Sequence, residues 1–271
     1  MDFQSLHLSV EGHVALLEFN HGKANEMGSA ELAELEQLVR WLRENRQVTT
    51  LVTSSKKVSG RGTPIFVSGA NVVERNEWSA GQVKTHVRWQ RQVIASLRRV
   101  PVFHVAVVGG VALGWGTEFL LATDYRIGCD GALFALPETG LGIVPGAGGT
   151  AALWRHVGVA HALRLGMTGE SIGPDEALRI GLIQERCGSL EDGLARARAL
   201  AELVAKRSPT AIAGYKQAVL SMTTSLLEEE LEARVYEHCV DTDNAAVGRS
   251  HFAAIRRGED VPWPPRDDWG G

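Results

Sequence analysis

Apolar positions along this 271-residue chain follow two periods, one typical of strands and one typical of helices. Residues 6–10 and 14–19 are short apolar or alternating segments on either side of a Glu-Gly pair, which predicts a β-hairpin. Residues 32–42 place leucine and valine at helical spacing, which predicts a helix with Ser29 as its N-cap. The chain therefore begins as a mixture of strands and helices.

A glycine-punctuated stretch from Val107 to Thr150 organises the middle of the sequence. Residues 102–108 are β-branched and apolar, which predicts a buried strand in which His104 is a buried histidine rather than a base. A glycine-rich turn follows, and residues 118–125 then have a helical pattern. A helix that starts after such a turn presents free N–H groups, which favour a negative group such as a developing oxyanion.

After residue 150 the pattern is helical, with Pro174 and Pro209 at positions where a first helical residue tolerates proline. Residues 1–205 are therefore expected to form an α/β core. Residues 206–271 are expected to form a helical region that ends in a proline-rich tail. Strands that are followed by helices alone favour a β/α core with a helical appendage.

Composition excludes several classes of protein. The chain has 44% hydrophobic and 22% charged residues and a net charge of −4, so it is not expected to bind nucleic acid. Cys129, Cys187 and Cys239 lack the spacing of metal ligands or of a disulfide framework. With neither a signal peptide nor an apolar run long enough to cross a membrane, the expected location is the cytoplasm, without a membrane partner.

Two carboxylates lie in apolar, glycine-flanked segments, Glu118 in TEFLLA and Glu138 in FALPETGLG. Burying such a group is costly unless it is paired, hydrogen-bonded or protonated. The alternative is one surface glutamate on each of two amphipathic elements. No G-x-S-x-G elbow or Walker motif is present, so neither a nucleophilic serine nor a phosphate-binding loop is predicted, and no metal is expected.

The segments GGVALGWGTEFLLATDYRI and ALFALPETGLGIVPGAGGT, together with IFVSGANVVE upstream, resemble the enoyl-CoA hydratase/isomerase (crotonase) family. The similarity runs from about residue 10 to about residue 255. It implies a spiral of ββα units for residues 1–205. It also implies that C-terminal helices, with apolar positions such as Leu226, Leu227, Leu231 and Val235, pack against the core and build homotrimers or homohexamers.

The resemblance also implies residue roles. Glu118 would activate a water, and Glu138 would protonate the α-carbon. The backbone N–H groups of Ala70 and Trp115 would form the oxyanion hole. Substrate contacts are implied for Lys23, Ala24, Ser68, Gly69, Gly114, Pro137 and Gly146, although Lys23 is equally consistent with a solvated loop lysine.

The chain departs from the family pattern at two positions, with Asn71 where Asp is common and Trp115 where Gly is common. The Trp115 indole either packs behind the turn or walls the acyl channel. Trp78, His86 and Trp89 either line an acyl pocket or belong to the core or an interface.

The implied function is a lyase that adds water to, or removes it from, an α,β-unsaturated acyl-CoA. Coenzyme A would be part of the substrate, and no separate cofactor is expected. The alternatives are an isomerase or biosynthetic dehydratase acting on a CoA- or carrier-bound acyl group, and a non-catalytic acyl-CoA-binding protein of the same fold.

Overall fold

The computed structural model describes residues 3–223, 226–259 and 261–262. Its strands fall into a six-stranded and a three-stranded sheet, and the helices pack around them. The strands are β1 (Leu6–Glu11), β2 (Val14–Phe19), β3 (Thr50–Ser55), β4 (Ile65–Val67), β5 (Phe103–Val108), β6 (Val111–Leu113), β7 (Tyr125–Cys129), β8 (Leu133–Ala135) and β9 (Glu185–Cys187).

The helices are α1 (Ser29–Glu44), α2 (Ala80–Arg98), α3 (Trp115–Leu121), α4 (Gly149–Thr168), α5 (Pro174–Arg179), α6 (Leu190–Ala205), α7 (Pro209–Thr223), α8 (Leu226–Asp241), α9 (Asn244–Ser250) and α10 (Phe252–Arg256). Gly158 has non-helical dihedral angles, so α4 consists of two helical segments joined by a kink. Short 3-10 helices cover Val73–Arg75 and Pro137–Leu141.

The six-stranded sheet has the order β1-β2-β3-β5-β7-β9. The predicted hairpin is confirmed, because β1 and β2 are antiparallel neighbours; all the other pairs in this sheet are parallel. The central strands β3 and β5 are almost entirely buried, as is typical of parallel strands covered on both faces. His104 is fully buried on β5 and hydrogen-bonds through Nε2 to Oγ1 of Thr53 at 2.8 Å, as expected for a core histidine.

The three-stranded sheet, β4-β6-β8, is parallel throughout. It corrects the interpretation of the glycine-rich stretch as a simple turn, because the three residues of β6 lie between the buried strand and α3. The helix is also shorter than its apolar pattern suggested. It ends at Leu121, since Tyr125 already pairs with Val105 in the larger sheet.

The predicted first helix is confirmed, but its N-cap is Gly28, not Ser29. The side chain of Glu31 accepts a hydrogen bond from the Gly28 N–H at 3.0 Å, and Glu74 accepts one from the Ser29 N–H at 3.0 Å. Carboxylates from the first turn and from a distant loop therefore supply the cap that a serine hydroxyl usually provides.

The described part of the chain after residue 149 is helical except for β9 and its connections, and Pro174 and Pro209 begin helices as predicted. Tyr236 and Val240 of α8 pack against Val83 and Val87 of α2, so α8 joins the core. Most of the predicted tail, residue 260 and residues 263–271, lies outside the described residues. Among those the structure does describe, no helix is both long and apolar enough to cross a bilayer.

Candidate active site

The carboxyl ends of the three small-sheet strands meet at one edge and bring distant segments together. β4 leads to Ala70, β6 leads to Gly114 and Trp115, and β8 leads to Glu138. Because neighbouring parallel strands point the same way, their ends lie side by side. Both segments expected to form the oxyanion hole, and one of the two glutamates, therefore lie at this edge.

Ala70 is held by a bridge to Met27. The Gly69 carbonyl accepts a hydrogen bond from the Met27 N–H at 2.9 Å, and the Asn71 N–H donates to the Met27 carbonyl at 2.8 Å. These two bonds flank Ala70 and use neither its N–H nor its carbonyl group. Gly69 has φ of +125°, a conformation open to glycine and strained for other residues.

The side chain of Asn71, one of the two departures from the family pattern, takes part in the hydrogen bonding of this loop. Its Oδ1 accepts a hydrogen bond from the Glu74 N–H at 3.2 Å. Either an aspartate or an asparagine oxygen can accept such a bond. The cap from Glu74 to Ser29 then ties the loop to the start of α1.

Trp115 is the first residue of α3, and the preceding Gly114 has φ of +50°. The N–H at a first helical position has no partner within the helix, so it remains available to an acceptor. The Trp115 ring is buried and stacks on Phe119 at a centroid distance of 5.6 Å. The indole thus packs into the core behind the turn, which is the first of the two alternatives for this side chain.

Glu118 is 3% exposed and lies in the first turn of α3. Its Oε1 accepts hydrogen bonds from the N–H groups of Ala147 at 2.8 Å and Gly149 at 2.9 Å. Burial raises the pKa of Glu118 to about 7, against the effects of these two hydrogen bonds and of the positive charge of Arg75. A carboxyl group with such a pKa exchanges protons near neutral pH.

Glu138 is 8% exposed and lies in the short helix Pro137–Leu141. Gly114 contacts the backbone of Glu118 and the side chain of Glu138. Its carbonyl accepts the Glu118 N–H at 2.9 Å, and a Cβ on its Cα would be 2.6 Å from Oε1 of Glu138. Both carboxyl groups are therefore buried, and the alternative of two surface glutamates is wrong.

The other residues predicted to contact substrate lie in three places. The carbonyl of Ala24 accepts a hydrogen bond from the Ser68 N–H at 3.2 Å, so the loop that carries the exposed Lys23 runs beside the segment leading to Ala70. Gly146 instead packs under α8, where a Cβ would lie 2.7 Å from Cδ2 of Tyr236. Pro137 begins the short helix of Glu138. Their contacts with substrate stay predictions.

Trp78, His86 and Trp89 form a ring cluster with centroid distances of 5.0 and 5.7 Å. They line an open depression at the start of α2 that includes neither glutamate. Burial and the positive charge of Arg75 lower the pKa of His86 to about 4, so this ring is neutral at physiological pH.

Two residues near the glutamates were missed by sequence reasoning. Arg75 is 5% exposed, although it occurs in a polar stretch that has no sequence signal for burial. Tyr236 is 4% exposed and comes from α8, which is distant in sequence. Burial lowers the pKa of Arg75, opposed by the negative charges of Glu74 and Glu118 and by a hydrogen bond with Tyr236.

The chain matches the enoyl-CoA hydratase/isomerase family over residues 9–259, and it belongs to that family. It is 30% identical over 260 residues to the short-chain-enoyl-CoA hydratase of Clostridium acetobutylicum, covering 95% of this chain and 97% of the relative. It is 29% identical over 260 residues to the crotonyl-CoA hydratase of Syntrophomonas wolfei, covering 95% and 98%.

The fold is that of solved members of the family. The crystal structure of enoyl-CoA hydratase from Bacillus anthracis matches with a TM-score of 0.76 and 28% identity, covering 97% of this chain and 100% of that chain. The predicted crotonase fold is therefore confirmed.

Proposed function

We propose that this protein is an enoyl-CoA hydratase-type lyase that adds water across the α,β double bond of an acyl-CoA thioester, or removes it. The observation that carries the proposal is the pair of buried glutamates, Glu118 in the first turn of α3 and Glu138 with its Oε1 beside Gly114, the residue that precedes the first N–H of α3. The two relatives named as hydratases, at about 30% identity over nearly the whole chain, agree with it.

The proposed mechanism begins at the thioester oxygen, which accepts hydrogen bonds from the N–H groups of Ala70 and Trp115. Charge develops on this oxygen as the double bond is attacked, and two backbone donors stabilise it without having to reorganise. Backbone donors also allow a tryptophan at position 115, because its side chain points away into the core.

Glu118, in its ionised form, takes a proton from water while the water oxygen bonds to the β-carbon. Glu138 in its protonated form then delivers its proton to the α-carbon. One carboxyl group gains a proton and the other loses one, so the net reaction is the addition of H and OH. The pKa of Glu118, near 7, suits a group that must accept a proton and release it again.

The simplest experiment follows the loss of enoyl-thioester absorbance when crotonyl-CoA is mixed with the protein. We expect saturable hydration by the wild-type chain. A double bond that moves along a longer acyl chain, without any addition of water, would instead identify an isomerase. Binding of acyl-CoA with neither reaction would identify a non-catalytic protein of this fold.

We further propose that CoA is the acyl carrier and that the chain forms homotrimers or homohexamers. The exposed Lys23 beside Ala24 and Ser68 would meet the nucleotide phosphates of CoA, which favour a cationic partner. The cytoplasmic location and the lack of a separate cofactor stay predictions from the sequence.

A further inference from the structure

A cavity of about 260 Å³ lies between the loop that follows Ala70 and the C-terminal helices. Its apolar lining includes Val72, Val83, Leu141 and Ile143. Tyr236 of α8 and residues of α9 and α10 also line it. The cavity has the mixed lining of a small-molecule pocket, mostly apolar with a few polar groups.

The charge of this lining is entirely of one sign. Arg75 and Arg249 line the cavity, and no aspartate or glutamate occurs among the described residues that do so. An apolar acyl tail needs no cation in its pocket, and a buried guanidinium is costly to desolvate. Two arginines against an apolar wall therefore favour a ligand group that is itself anionic.

Of the two arginines, Arg75 gives the stronger evidence for an anionic ligand. It is buried, and some of its N–H donors have no hydrogen-bond partner. Its Nε and Nη2 atoms are buried and have no hydrogen-bond partner in the described part of the chain. Buried polar groups in proteins are nearly always hydrogen-bonded, and each exception needs an explanation. A bound carboxylate would accept from these nitrogens, since the guanidinium fork matches the two carboxylate oxygens.

The cavity adjoins the proposed reaction centre. The N–H of Ile143 in its wall donates to the Glu138 carbonyl at 3.1 Å. Arg75 follows Ala70 by five residues, and its positive charge lowers the pKa of Glu118. An acyl chain whose thioester oxygen meets Ala70 and Trp115 would therefore extend past the glutamates toward Arg75.

We propose that Arg75, assisted by Tyr236 and Arg249, binds a carboxylate at the far end of the acyl group. The substrate class is then the CoA monothioester of a short unsaturated dicarboxylic acid. This inference rests on the proposed function, because it uses the acyl site of that reaction. The competing explanation is that Arg75 serves only as a counter-charge that stabilises ionised Glu118.

The first test compares two six-carbon substrates, 2-hexenedioyl-CoA and 2-hexenoyl-CoA, which differ only in the terminal carboxylate. Assays are run at pH 8.5, above the pKa of about 7 that Glu118 has in the wild type. We expect the wild-type protein to have at least tenfold higher kcat/KM for the dicarboxylic substrate. Arg75→Met should reduce that preference by about 10- to 100-fold, the range for lost hydrogen bonds to a charged group.

Further variants separate recognition of the terminal carboxylate from a general effect of substitution on activity. Arg75→Lys keeps the charge without the fork and should retain part of the preference, and Tyr236→Phe should lose less than Arg75→Met. Arg40→Met, a change of an exposed arginine on α1, is the matched control and should leave both activities unaltered. Circular dichroism and thermal melting confirm that each variant is folded.

Two results would overturn the inference. One is a wild-type kcat/KM for 2-hexenoyl-CoA that equals or exceeds the value for 2-hexenedioyl-CoA. The other is an equal fall for both substrates in Arg75→Met, which would identify Arg75 as a counter-charge to Glu118.

Binding of saturated analogues separates failure of this inference from failure of the proposed function. Isothermal titration with adipyl-CoA and hexanoyl-CoA needs no chemical step. Tighter binding of adipyl-CoA that is lost in Arg75→Met would support the carboxylate site even if neither enoyl-CoA were hydrated. Equal affinities for the two analogues would reject the site whether or not hydration occurs.

Discussion

Glu118 accepts a hydrogen bond of 2.9 Å from the N–H of Gly149, the first residue of α4. A carboxylate at this position caps the helix and is stabilised by the positive end of its dipole. The bond fixes the orientation of Glu118 and favours its charged form, while burial favours its neutral form. The resulting balance near neutral pH is what the proposed role of a reversible base requires.

The first prediction concerns the two glutamates. Glu118→Gln and Glu138→Gln should each reduce crotonyl-CoA hydration by at least about 100-fold, the lower range for a general acid or base. A glutamine at position 118 keeps an oxygen that accepts from Ala147 and Gly149, so the fold should survive. If the pair acts as a unit, the double variant should lose far less than the product of the single losses.

The matched control is Glu36→Gln, a half-exposed glutamate on α1 that lies far along the chain from the site. It should hydrate at the wild-type rate. Near-normal hydration by Glu118→Gln would contradict the hydratase mechanism and point to chemistry that needs Glu138 alone.

The second prediction concerns the pH dependence of activity. If Glu118 is the base in hydration, kcat/KM should rise as the pH increases through about 7, because only the ionised form accepts the proton from water. A pH profile from 4 to 9 measures this acidic limb. An acidic limb centred near 4.5, the ordinary pKa of a glutamate, would show that Glu118 is not the group that controls the rate.

The raised pKa of Glu118 has a consequence for stability as well. The folded state holds the proton up to about pH 7, whereas the unfolded state releases it near 4.5. The unfolded state thus binds fewer protons in this window, and the free energy of unfolding falls as the pH rises, by on the order of 3 kcal/mol. Glu118→Gln removes this contribution. The melting temperature of the wild type relative to the variant should therefore fall between pH 5 and pH 8.

The third prediction uses the two glycines Gly149 and Gly166, both on α4. A Cβ at position 149 would be 2.6 Å from the Pro145 Cβ and 2.9 Å from Oε1 of Glu118, whereas position 166 has open space. Gly149→Ala should therefore displace Glu118 and lower hydration at least tenfold, because small misplacements of reacting groups are costly. The acidic limb in the pH profile of Gly149→Ala should also shift to higher pH, because the hydrogen bonds that favour ionised Glu118 are weakened.

Gly166→Ala should behave like the wild type in both rate and pH profile. If the two alanine variants are equally active, the contact between Glu118 and the start of α4 does not position the base.

The sequence pattern predicted those strands and site residues that can be identified within one short segment of the chain. The hairpin, the buried strand of His104 and the glycine-flanked glutamates all occur within short apolar segments, where periodicity and cost of burial are informative. β6 was missed because a strand of three residues shows no period, and it forms only through pairing with β4 and β8. Arg75 was missed because its burial depends on α8, more than 150 residues further along the chain.

The fourth prediction concerns assembly. Val159, Leu163 and Met167 recur every four residues on the second segment of α4, and all three are exposed, Met167 by 72%. An exposed apolar stripe of this kind is typical of a protein interface. Light scattering of the intact chain should therefore give the mass of three or six chains, and Leu163→Glu should dissociate them. A monomeric wild type would contradict the assembly proposal.

The predicted C-terminal contacts are not part of that test. The side chains of Leu226, Leu227, Leu231 and Val235 lie outside the described residues. Deleting the chain from Ser208 should also abolish the oligomer. This deletion would also remove Tyr236, which lines the cavity. Leu163→Glu is therefore the cleaner test of assembly.

The last prediction concerns Trp115. Because its indole is buried against Phe119, Trp115→Gly should destabilise the fold by about 3–5 kcal/mol, as for other large aromatic truncations. The N–H proposed to bind the thioester oxygen is still present in this variant. Its turnover of crotonyl-CoA, measured below its melting temperature, should therefore change by less than about tenfold.

Trp115→Pro is the contrasting variant, because it loses the same indole and also the N–H. Proline is tolerated at the first position of a helix, so α3 can still form. Losing one oxyanion donor typically costs about 100- to 1,000-fold in rate, and the proline variant should show a loss of that size beyond the glycine variant. Turnover numbers of the two folded variants provide the comparison. Equal losses would remove Trp115 from the oxyanion hole and leave the stabilisation of the thioester oxygen to other donors.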